Sequence, residues 1–274
     1  MPYPILKLSY GLRGRLRDLM TPIEAYDIQV AAGSNSNDLQ PLQETRNVCA
    51  VIIKDNTVAL MFDSLREKPE NIEEIEDNLL FCCTGLFKVC DGTDEVLDSP
   101  SMDRLCLTKT NKLVIESEAV TVNQLEKIAR KTGDLLCFFE LATGIVPFHH
   151  ILSNFPNLAQ LQCNSLYKNW AADLLNVENT QLTYINILDC QYEDLISFKP
   201  EEMIQILHKK LRIYARCSTS ADINLANVVQ KLKSEIQPLL HRDSIPDHPG
   251  TFTVDLNNAN EHEELFFKLL KNIH

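Results

Sequence analysis

Beyond residue 118 the sequence alternates between short apolar segments and longer amphipathic segments, and this alternation limits the fold more than any other feature. The strand-like segments begin near residues 135, 158, 182, 211 and 251. Their starts therefore lie 23, 24, 29 and 40 residues apart. Helix signals lie between them, such as Thr121 with Gln124 at an N-terminus and Gly133 at a C-terminus. Strands that alternate with helices favour an α/β fold with a parallel sheet.

Two of the strand-like segments carry a repeat pattern. Residues 182–190, LTYINILDC, fit the L-x-x-L-x-L-x-x-N/C template of leucine-rich repeats, and residues 155–163, FPNLAQLQC, fit most of it. Residues 119–274 thus resemble a leucine-rich-repeat-like α/β domain, which implies β-α units that stack into a curved parallel sheet. An ordinary α/β domain with a parallel sheet shows the same alternation and stays an alternative.

Further helix and strand signals extend to the C-terminus. Pro200 followed by two glutamates begins a helix, because Pro and acidic residues suit the first helical turn. We expect a longer helix from about Ala221, then a Pro-rich loop over residues 238–250 and a strand over 251–256. A terminal helix is predicted from Glu261.

The middle of the chain, residues 34–118, is predicted to be a linker followed by a strand-rich region. The run of Ser, Asn and Asp after Gly33 indicates a linker over residues 34–46. Asp55-Asn56 separates two β-branched segments and predicts a tight hairpin turn. Thr84-Gly85 and Thr110-Asn111 are two further candidate turns between strands. The charged run that ends near Asp77 is expected to be a solvated loop or short helix.

The first 33 residues predict two short helices. Leu12, Leu16 and Leu19 recur at helical spacing on one face. Thr21-Pro22-Ile23-Glu24 then forms a capping box, with a hydroxyl at the N-cap and a glutamate that can reach back to it. The second helix is expected to turn Ile23, Tyr26 and Val30 inward and to end by Gly33. So small a helical hairpin cannot form a core alone, and part of its apolar surface needs a partner.

This opening segment, ILKLSYGLRGRLRDLMTPIEAYDIQVAAG, resembles a divergent F-box of the type expanded in nematodes. Such proteins have an apolar stretch, a helix of L-x-x-x-L-x-x-L form, a Pro-containing turn and a second short helix. The resemblance implies contact with the Skp adaptor of a cullin-RING ubiquitin ligase. F-box proteins often couple these helices to a leucine-rich-repeat-like module. The positions that would contact the adaptor are Leu8, Leu12, Leu16, Leu19, Pro22 and Ile23.

Overall composition argues against several partners and locations. Lys and Arg are outnumbered 26 to 38 by Asp and Glu, so the net charge of −12 disfavours binding to nucleic acid or anionic lipid. The sequence has no run of about 18 apolar residues that would predict a membrane span, and no secretory signal begins it. We therefore expect a cytoplasmic or nuclear protein that binds neither nucleic acid nor membrane.

Nine cysteines suggest core thiols rather than disulfides, because an intracellular chain of this length keeps scattered cysteines reduced. The cysteine pair at 82 and 83 lacks the C-x-x-C spacing that holds zinc. The thiols expected in the core of the second half are Cys137, Cys163, Cys190 and Cys217. The single Trp170 is expected to be partly buried between a helix and the sheet.

Catalytic motifs are incomplete. The letters HRD at residues 241–243 match a kinase catalytic loop, but His248 stands where the magnesium-binding Asn belongs. Asp243, Asp247 and the two histidines of this loop lack a known metal-ligand spacing. His149 and His150 should point about 100 degrees apart on a helix, so at most one can serve a site. Eight glycines leave no Gly-rich phosphate loop. We predict no enzyme activity, metal or cofactor.

The predicted function is that of a substrate-receptor subunit of an SCF-type ubiquitin ligase. The N-terminal helices would bind the adaptor, and the exposed face of the repeat sheet would bind a protein target. The alternative is a repeat scaffold or antagonist that binds one protein partner outside a ligase. Target contacts are expected at strand positions whose side chains alternate to the open face. These positions are Gln160, Gln162, Tyr184, Asn186, Arg212 and Tyr214.

Overall fold

A computed structural model shows a mixed α/β fold with mostly parallel strands. It describes residues 5–33, 39–40, 42–63, 68–91, 94–177, 181–218, 225–236, 240–242, 250–257 and 262–269. The chain divides into two compact units. Unit 1 comprises Met1–Asn111 with Arg130–Gly133, and unit 2 comprises Lys112–Ala129 with Asp134–His274.

Unit 1 begins with the two helices that the sequence predicts, α1 over Tyr10–Leu19 and α2 over Pro22–Ala32. The capping box of α2 is confirmed: the Thr21 amide donates to Glu24 Oε2 at 2.8 Å, and the Glu24 amide donates to Thr21 Oγ1 at 3.4 Å. The predicted inward orientation of Val30 is wrong, because this side chain is 62% exposed. Helix α2 has no fully buried residue, so its apolar side chains are only partly covered.

The strands of unit 1 include the predicted hairpin. The elements that follow α2 are β1 Thr45–Lys54, β2 Thr57–Met61, β3 Glu70–Asn71, β4 Leu80–Cys90, α3 Asp94–Leu97 and β5 Leu105–Cys106. β1 and β2 pair antiparallel, and the turn residues Asp55 and Asn56 have φ of 49° and 58°. Such positive φ values at both central positions define the type I′ turn, which Asn and Asp tolerate.

The other two candidate turns of the strand-rich region are not hairpins. Strand β4 runs straight through Thr84-Gly85 and pairs parallel with β1. Gly85 does not form a turn. It allows close packing of the strands, because a Cβ at this position would lie 2.4 Å from the Cys49 carbonyl oxygen. The segment before Thr110-Asn111 pairs parallel with β4, and the segment after it pairs parallel with a later strand.

A buried arginine organises the charged run that the sequence suggests is solvated. The Arg104 guanidinium is largely buried and donates to the carbonyl oxygens of Ile72 at 3.0 Å and Ile75 at 3.2 Å. Ile72 itself is fully buried in a short 3₁₀ turn. The charged run therefore contributes backbone acceptors and one apolar side chain to the core of unit 1, although most of its side chains are exposed.

Unit 2 alternates strands and helices. Its elements are β6 Lys112–Glu116, α4 Val122–Lys131, β7 Phe138–Leu141, α5 Phe148–Asn154, β8 Gln160–Cys163, α6 Trp170–Leu175, β9 Tyr184–Cys190, α7 Tyr192–Leu195, α8 Pro200–His208, β10 Arg212–Ser218, α9 Leu225–Ile236, β11 Leu240–Arg242, β12 Thr251–Asn257 and β13 His262–Leu269. The last residues of α4 are grouped with unit 1. The predicted order of strands and helices is confirmed up to β10, with boundaries shifted by a few residues.

Six strands of unit 2 are parallel and lie side by side in chain order: β6, β7, β8, β9, β10 and β12. Connections between such neighbours are almost always right-handed, so a strand order without reversal carries the connecting helices to one face. The opposite face of these strands is then left without the helices that cover both faces of a doubly wound sheet.

The C-terminal end of unit 2 corrects two predictions. The expected helix from Glu261 is a strand, β13, which pairs antiparallel with β12. Its Leu265 and Phe267 are buried at alternate positions, and Phe267 stacks near Phe252. The alternation of buried and exposed residues that is typical of a strand is not evident in the sequence, because an apolar residue also occupies the position between the buried ones. Within the expected loop over 238–250, residues 240–242 form the short strand β11, which pairs with β13.

The core of unit 2 lies on the helix side of the strands. Trp170 is fully buried, more than the partial burial predicted, and its Nε1 donates to the Leu195 carbonyl at 3.2 Å. Its ring meets Phe148 and Phe198 edge-to-face. The predicted burial of Cys163, Cys190 and Cys217 is confirmed. The predicted burial of Cys137 is wrong, because this residue is exposed just before β7 begins.

Candidate functional site

Side chains on the open face of unit 2 form registered rows across the strands. The Cα pairings between neighbouring strands define a first row of Lys112, Phe138, Gln160, Tyr184 and Arg212. Successive side chains of a strand point to opposite faces, so residues paired across parallel strands share one face. The first row therefore places two cations at its ends, with two aromatic rings and an amide between them.

A second row lies two residues further along each strand. Its members are Val114, Glu140, Gln162, Asn186, Tyr214 and Thr253. The six positions expected to contact a target fall in these two rows, three in each. None of the six is fully buried, and Gln160 is exposed. Their contact with a target remains a prediction.

Cations of the first row lie over its aromatic rings. The Arg212 Cζ is 4.6 Å from the centroid of the Tyr184 ring. The Lys112 Nζ is 4.5 Å from the centroid of Phe138 and 3.1 Å from Glu140 Oε2. Contacts of this kind hold a long cationic side chain along the sheet surface instead of leaving it to move in solvent.

Hydrogen bonds fix the second row and the strand ends beside it. Asn186 Nδ2 donates to Gln162 Oε1 at 3.1 Å. The Tyr214 hydroxyl donates to Asp255 Oδ2 at 2.7 Å, and Arg216 Nε donates to the same oxygen at 3.1 Å. Burial, followed by the hydrogen bond to Asp255, raises the pKa of Tyr214. The part of the second row from Gln162 to Tyr214 is thus an ordered polar surface at neutral pH, whereas Val114 and Thr253 at its ends are buried.

In unit 1 the positions identified by the F-box resemblance divide into two groups. Leu8, Leu12 and Leu19 are exposed, with 52% of Leu12 and 84% of Leu19 accessible. The half-buried group consists of Leu16, Pro22 and Ile23. Leu12 and Leu19 lie on α1, and Leu8 lies just before it. Exposed apolar side chains that are grouped in this way form a surface that a partner can cover.

Ile23 and Tyr26 attach α2 to unit 1. Both side chains pack against a cluster of Leu80, Cys82 and Cys106. Cys82 and Cys106 are Cα partners on β4 and β5, and the hydrogen bond from the Cys82 thiol lowers the pKa of Cys106 while it raises that of Cys82. This inward contact makes Ile23 a poor choice for testing an external partner.

A cavity of about 580 Å³ lies beside α1 and α2 within unit 1. Leu16, Met20 and Ile28 supply apolar walls from the helices. The Arg17 side chain donates to the carbonyl oxygens of Leu39, at 3.0 Å, and Gln40, which ties α1 to the segment after α2. The cavity therefore belongs to the packing of the helix pair.

A carboxylate that sequence reasoning missed holds one of the paired histidines of unit 2. Asp173 in α6 bonds to His149 Nδ1 and accepts a hydrogen bond from the Tyr167 hydroxyl. The rings of His149 and His150 lie 3.9 Å apart, so the two rings are neighbours although the Cβ directions of adjacent helix positions differ by about 100 degrees. The sequence carries no signal for Asp173, because its partners come from other segments. Burial, then the bond to Asp173, raises the pKa of Tyr167.

The residues that the structure describes contain neither a candidate metal site nor a helix that could span a membrane. No group of three or more His, Cys, Asp or Glu side chains in those residues could hold a metal ion. The HRD motif and the histidine-rich loop lie largely outside the described residues, which include only the backbone of His241 and Arg242. Among the helices with described residues, none is long and apolar enough to cross a bilayer.

Unit 1 thus carries an exposed leucine surface, and unit 2 carries two registered rows of polar and aromatic side chains. The residues of each surface come from neighbouring elements of its own unit. Comparison of the chain with protein-family models, with curated proteins and with solved structures gives no match.

Proposed function

We propose that this protein is a non-enzymatic substrate receptor of an SCF-type cullin-RING ubiquitin ligase. Its N-terminal helices would bind the Skp-type adaptor, and the two rows on the sheet face of unit 2 would bind a protein target. The single observation that carries the proposal is the exposure of Leu12 and Leu19 in a segment whose pattern resembles an F-box.

The adaptor half of the proposal is supported by a difference in exposure among the apolar side chains of the N-terminal segment. Ile23 and Tyr26 fix α2 to unit 1, whereas Leu8, Leu12 and Leu19 remain on the outside. Burying one leucine side chain stabilises a complex by roughly 1.5–3 kcal/mol, so covering several exposed leucines can supply useful binding energy.

The target half is supported by the strand order of unit 2 and by contacts at the ends of the repeat-like segments. Neighbouring parallel strands in chain order are the arrangement that leucine-rich repeats use to build an open sheet face. In the segment that fits the template best, Cys190 occupies the final N/C position, and its Sγ donates to the Arg216 carbonyl at 3.4 Å on the next strand. Asn164, directly after the other segment, donates to the Ala142 carbonyl.

The proposed mechanism is proximity. A receptor that holds a target near a ubiquitin-loaded enzyme raises the effective concentration of the target lysines without any reacting group of its own. The chemistry then belongs to the ligase partners, and this chain supplies two binding surfaces.

The adaptor proposal is tested by a pull-down that measures binding of the purified chain to a Skp-type adaptor. The changes Leu12→Asp and Leu19→Asp place a charge on the exposed surface, and we expect each to weaken adaptor binding at least tenfold, because a buried unpaired charge is costly. Folding should persist, since both side chains are exposed.

Leu135→Asp and Ile145→Asp are matched controls, because both side chains are apolar and exposed but lie in unit 2. These controls should bind the adaptor as the wild type does. A chain that fails to bind any Skp-type adaptor, yet still captures a protein target, would instead indicate the scaffold or antagonist alternative.

A further inference from the structure

The first row of unit 2 differs in charge from the chain that carries it. The protein has a net charge of −12, yet the row contains Lys112 and Arg212 and no carboxylate. Two further cations, Lys209 and Lys210, are exposed just before β10 begins. A cationic row on an acidic protein attracts negative charge to that part of the surface.

Among the described residues, the carboxylates of Glu140, Asp134 and Asp255 occupy different places relative to the first row. Glu140 of the second row is bonded to Lys112, so it partly neutralises that end. Asp134 is exposed before β7. The carboxylate of Asp255 accepts from Tyr214 and Arg216 of β10, at the opposite ends of the strands from the first row.

We propose that the first row binds an extended, carboxylate-rich segment of the protein target. The inference rests on the proposed use of this sheet face for target binding and names the chemistry of the target. Arg212 and Lys112 would hold two acidic side chains, and the Gln160 amide, which is exposed between them, would bond to the backbone of the segment.

The spacing of the row sets the spacing of the acids. Neighbouring strands lie about 4.8 Å apart, so the four gaps from Lys112 to Arg212 span roughly 19 Å. An extended peptide advances about 3.3 Å per residue, so the two acidic residues should be separated by roughly six positions. Phe138 and Tyr184 lie between the cations, and their rings offer apolar contact to the residues in between.

The test is selection from a random decapeptide display library by the immobilised full chain. We expect the selected pool to be enriched in Asp and Glu, with pairs separated by five to seven positions. A representative selected peptide should bind Arg212→Gln and Lys112→Gln each at least tenfold more weakly than the wild type, because each change removes a charge-assisted contact. Lys168→Gln removes an exposed charge elsewhere in unit 2 and should change binding less than twofold.

A peptide-side control removes any dependence on variant folding. Replacing the Asp and Glu of the selected peptide by Asn and Gln should weaken its binding to the wild-type chain at least tenfold. A pool that is apolar or basic, no enriched pool, or amide peptides that bind equally well would overturn the inference. If one of these peptide results is obtained and the chain still binds the adaptor, only the proposal of an acidic target segment is refuted. Loss of adaptor binding with acidic selection intact refutes the ligase role and leaves the surface assignment standing.

Discussion

Gly85 lies in the middle of β4, where the neighbouring strand comes too close for a side chain. A Cβ at this position would meet the carbonyl oxygen of Cys49, which is backbone and cannot move aside alone. The register of β1 against β4 shifts between Val48 and Ala50, beside this contact. The glycine thus permits an irregularity within a parallel pair that carries much of unit 1.

We predict that Gly85→Ala destabilises the protein by about 2 kcal/mol, because the strands must separate to admit the methyl group. Urea unfolding followed by far-UV circular dichroism measures the change. Gly14→Ala in α1 is the control, since a Cβ there meets nothing within 4 Å and alanine favours a helix. It should be neutral or stabilising by about 0.5–1 kcal/mol. Equal effects of the two substitutions would contradict the close approach.

Tyr167 shows how one half-buried hydroxyl joins two helices of unit 2. The hydroxyl donates to Asp173 in α6 and accepts from the Phe148 amide, at 2.7 Å, at the start of α5. Its raised pKa keeps the folded residue protonated where an unfolded tyrosine, with a pKa of about 10, would ionise. The stabilisation is therefore fully present below about pH 10 and decreases as pH rises above it.

Tyr167→Phe should cost about 2 kcal/mol near pH 8, because it leaves Asp173 and the Phe148 amide without this partner. The difference in unfolding free energy between wild type and variant should narrow by about 1 kcal/mol near pH 11, where the unfolded wild type gains from ionisation. Denaturant titrations at the two pH values give both differences. A difference that widens with pH would show that the hydroxyl does not have a raised pKa.

Helix α2 depends strongly on its local sequence. It has a complete capping box and no fully buried residue, so local hydrogen bonds contribute a large share of its stability. Ser9 is the N-cap residue of α1, and its side chain makes no capping hydrogen bond. The two adjacent helices therefore provide a matched pair for measuring the value of the cap.

Thr21→Ala should lower the stability of α2 by about 1 kcal/mol. Hydrogen exchange of the α2 amides should then become roughly fivefold faster where it proceeds by local opening. Ser9→Ala should leave α1 exchange within about twofold of wild type, because no cap hydrogen bond is lost. Equal acceleration in both helices would contradict the role of the cap.

Elements governed by local chemistry were predictable. Thr21 with Glu24, and Asp55 with Asn56, form contacts within a few residues, so their sequence signals match the structure. The predicted turn at Gly85 was wrong, because a glycine can mark a close approach of two strands as well as a turn. The strand β13 is decided by pairing with β12, which local apolar spacing does not reveal. Asp173 and His149 are 24 residues apart, so only the fold brings them together.

The candidate site was predictable to different degrees in the two units. Alternation along the strands predicts which side chains share a face, and register places Gln160, Tyr184 and Arg212 in one row. Lys112 and Phe138 complete this row but precede the strands from which the target positions were predicted. The cation contacts with Phe138 and Tyr184 depend on neighbouring strands, so they need the tertiary fold.

The whole molecule carries two surfaces with different chemistry, one on each unit. The exposed leucines of unit 1 favour a partner that removes apolar area from water, whereas the first row of unit 2 favours a partner with negative charge. Two independent surfaces are what a receptor needs to hold an adaptor and a target together. We propose that the apolar surface of α1 binds the adaptor.

Hydrogen–deuterium exchange of the full chain, alone and with a purified Skp-type adaptor, tests that claim most directly. We predict protection of α1 and of the turn into α2 on addition of the adaptor, with unchanged exchange in the peptides that contain Leu135 and Ile145. The Leu12→Asp variant should show less protection than the wild type at the same adaptor concentration, because its binding is weaker. Binding without slower exchange in α1, or protection confined to the strands of unit 2, would contradict the assignment of the adaptor surface.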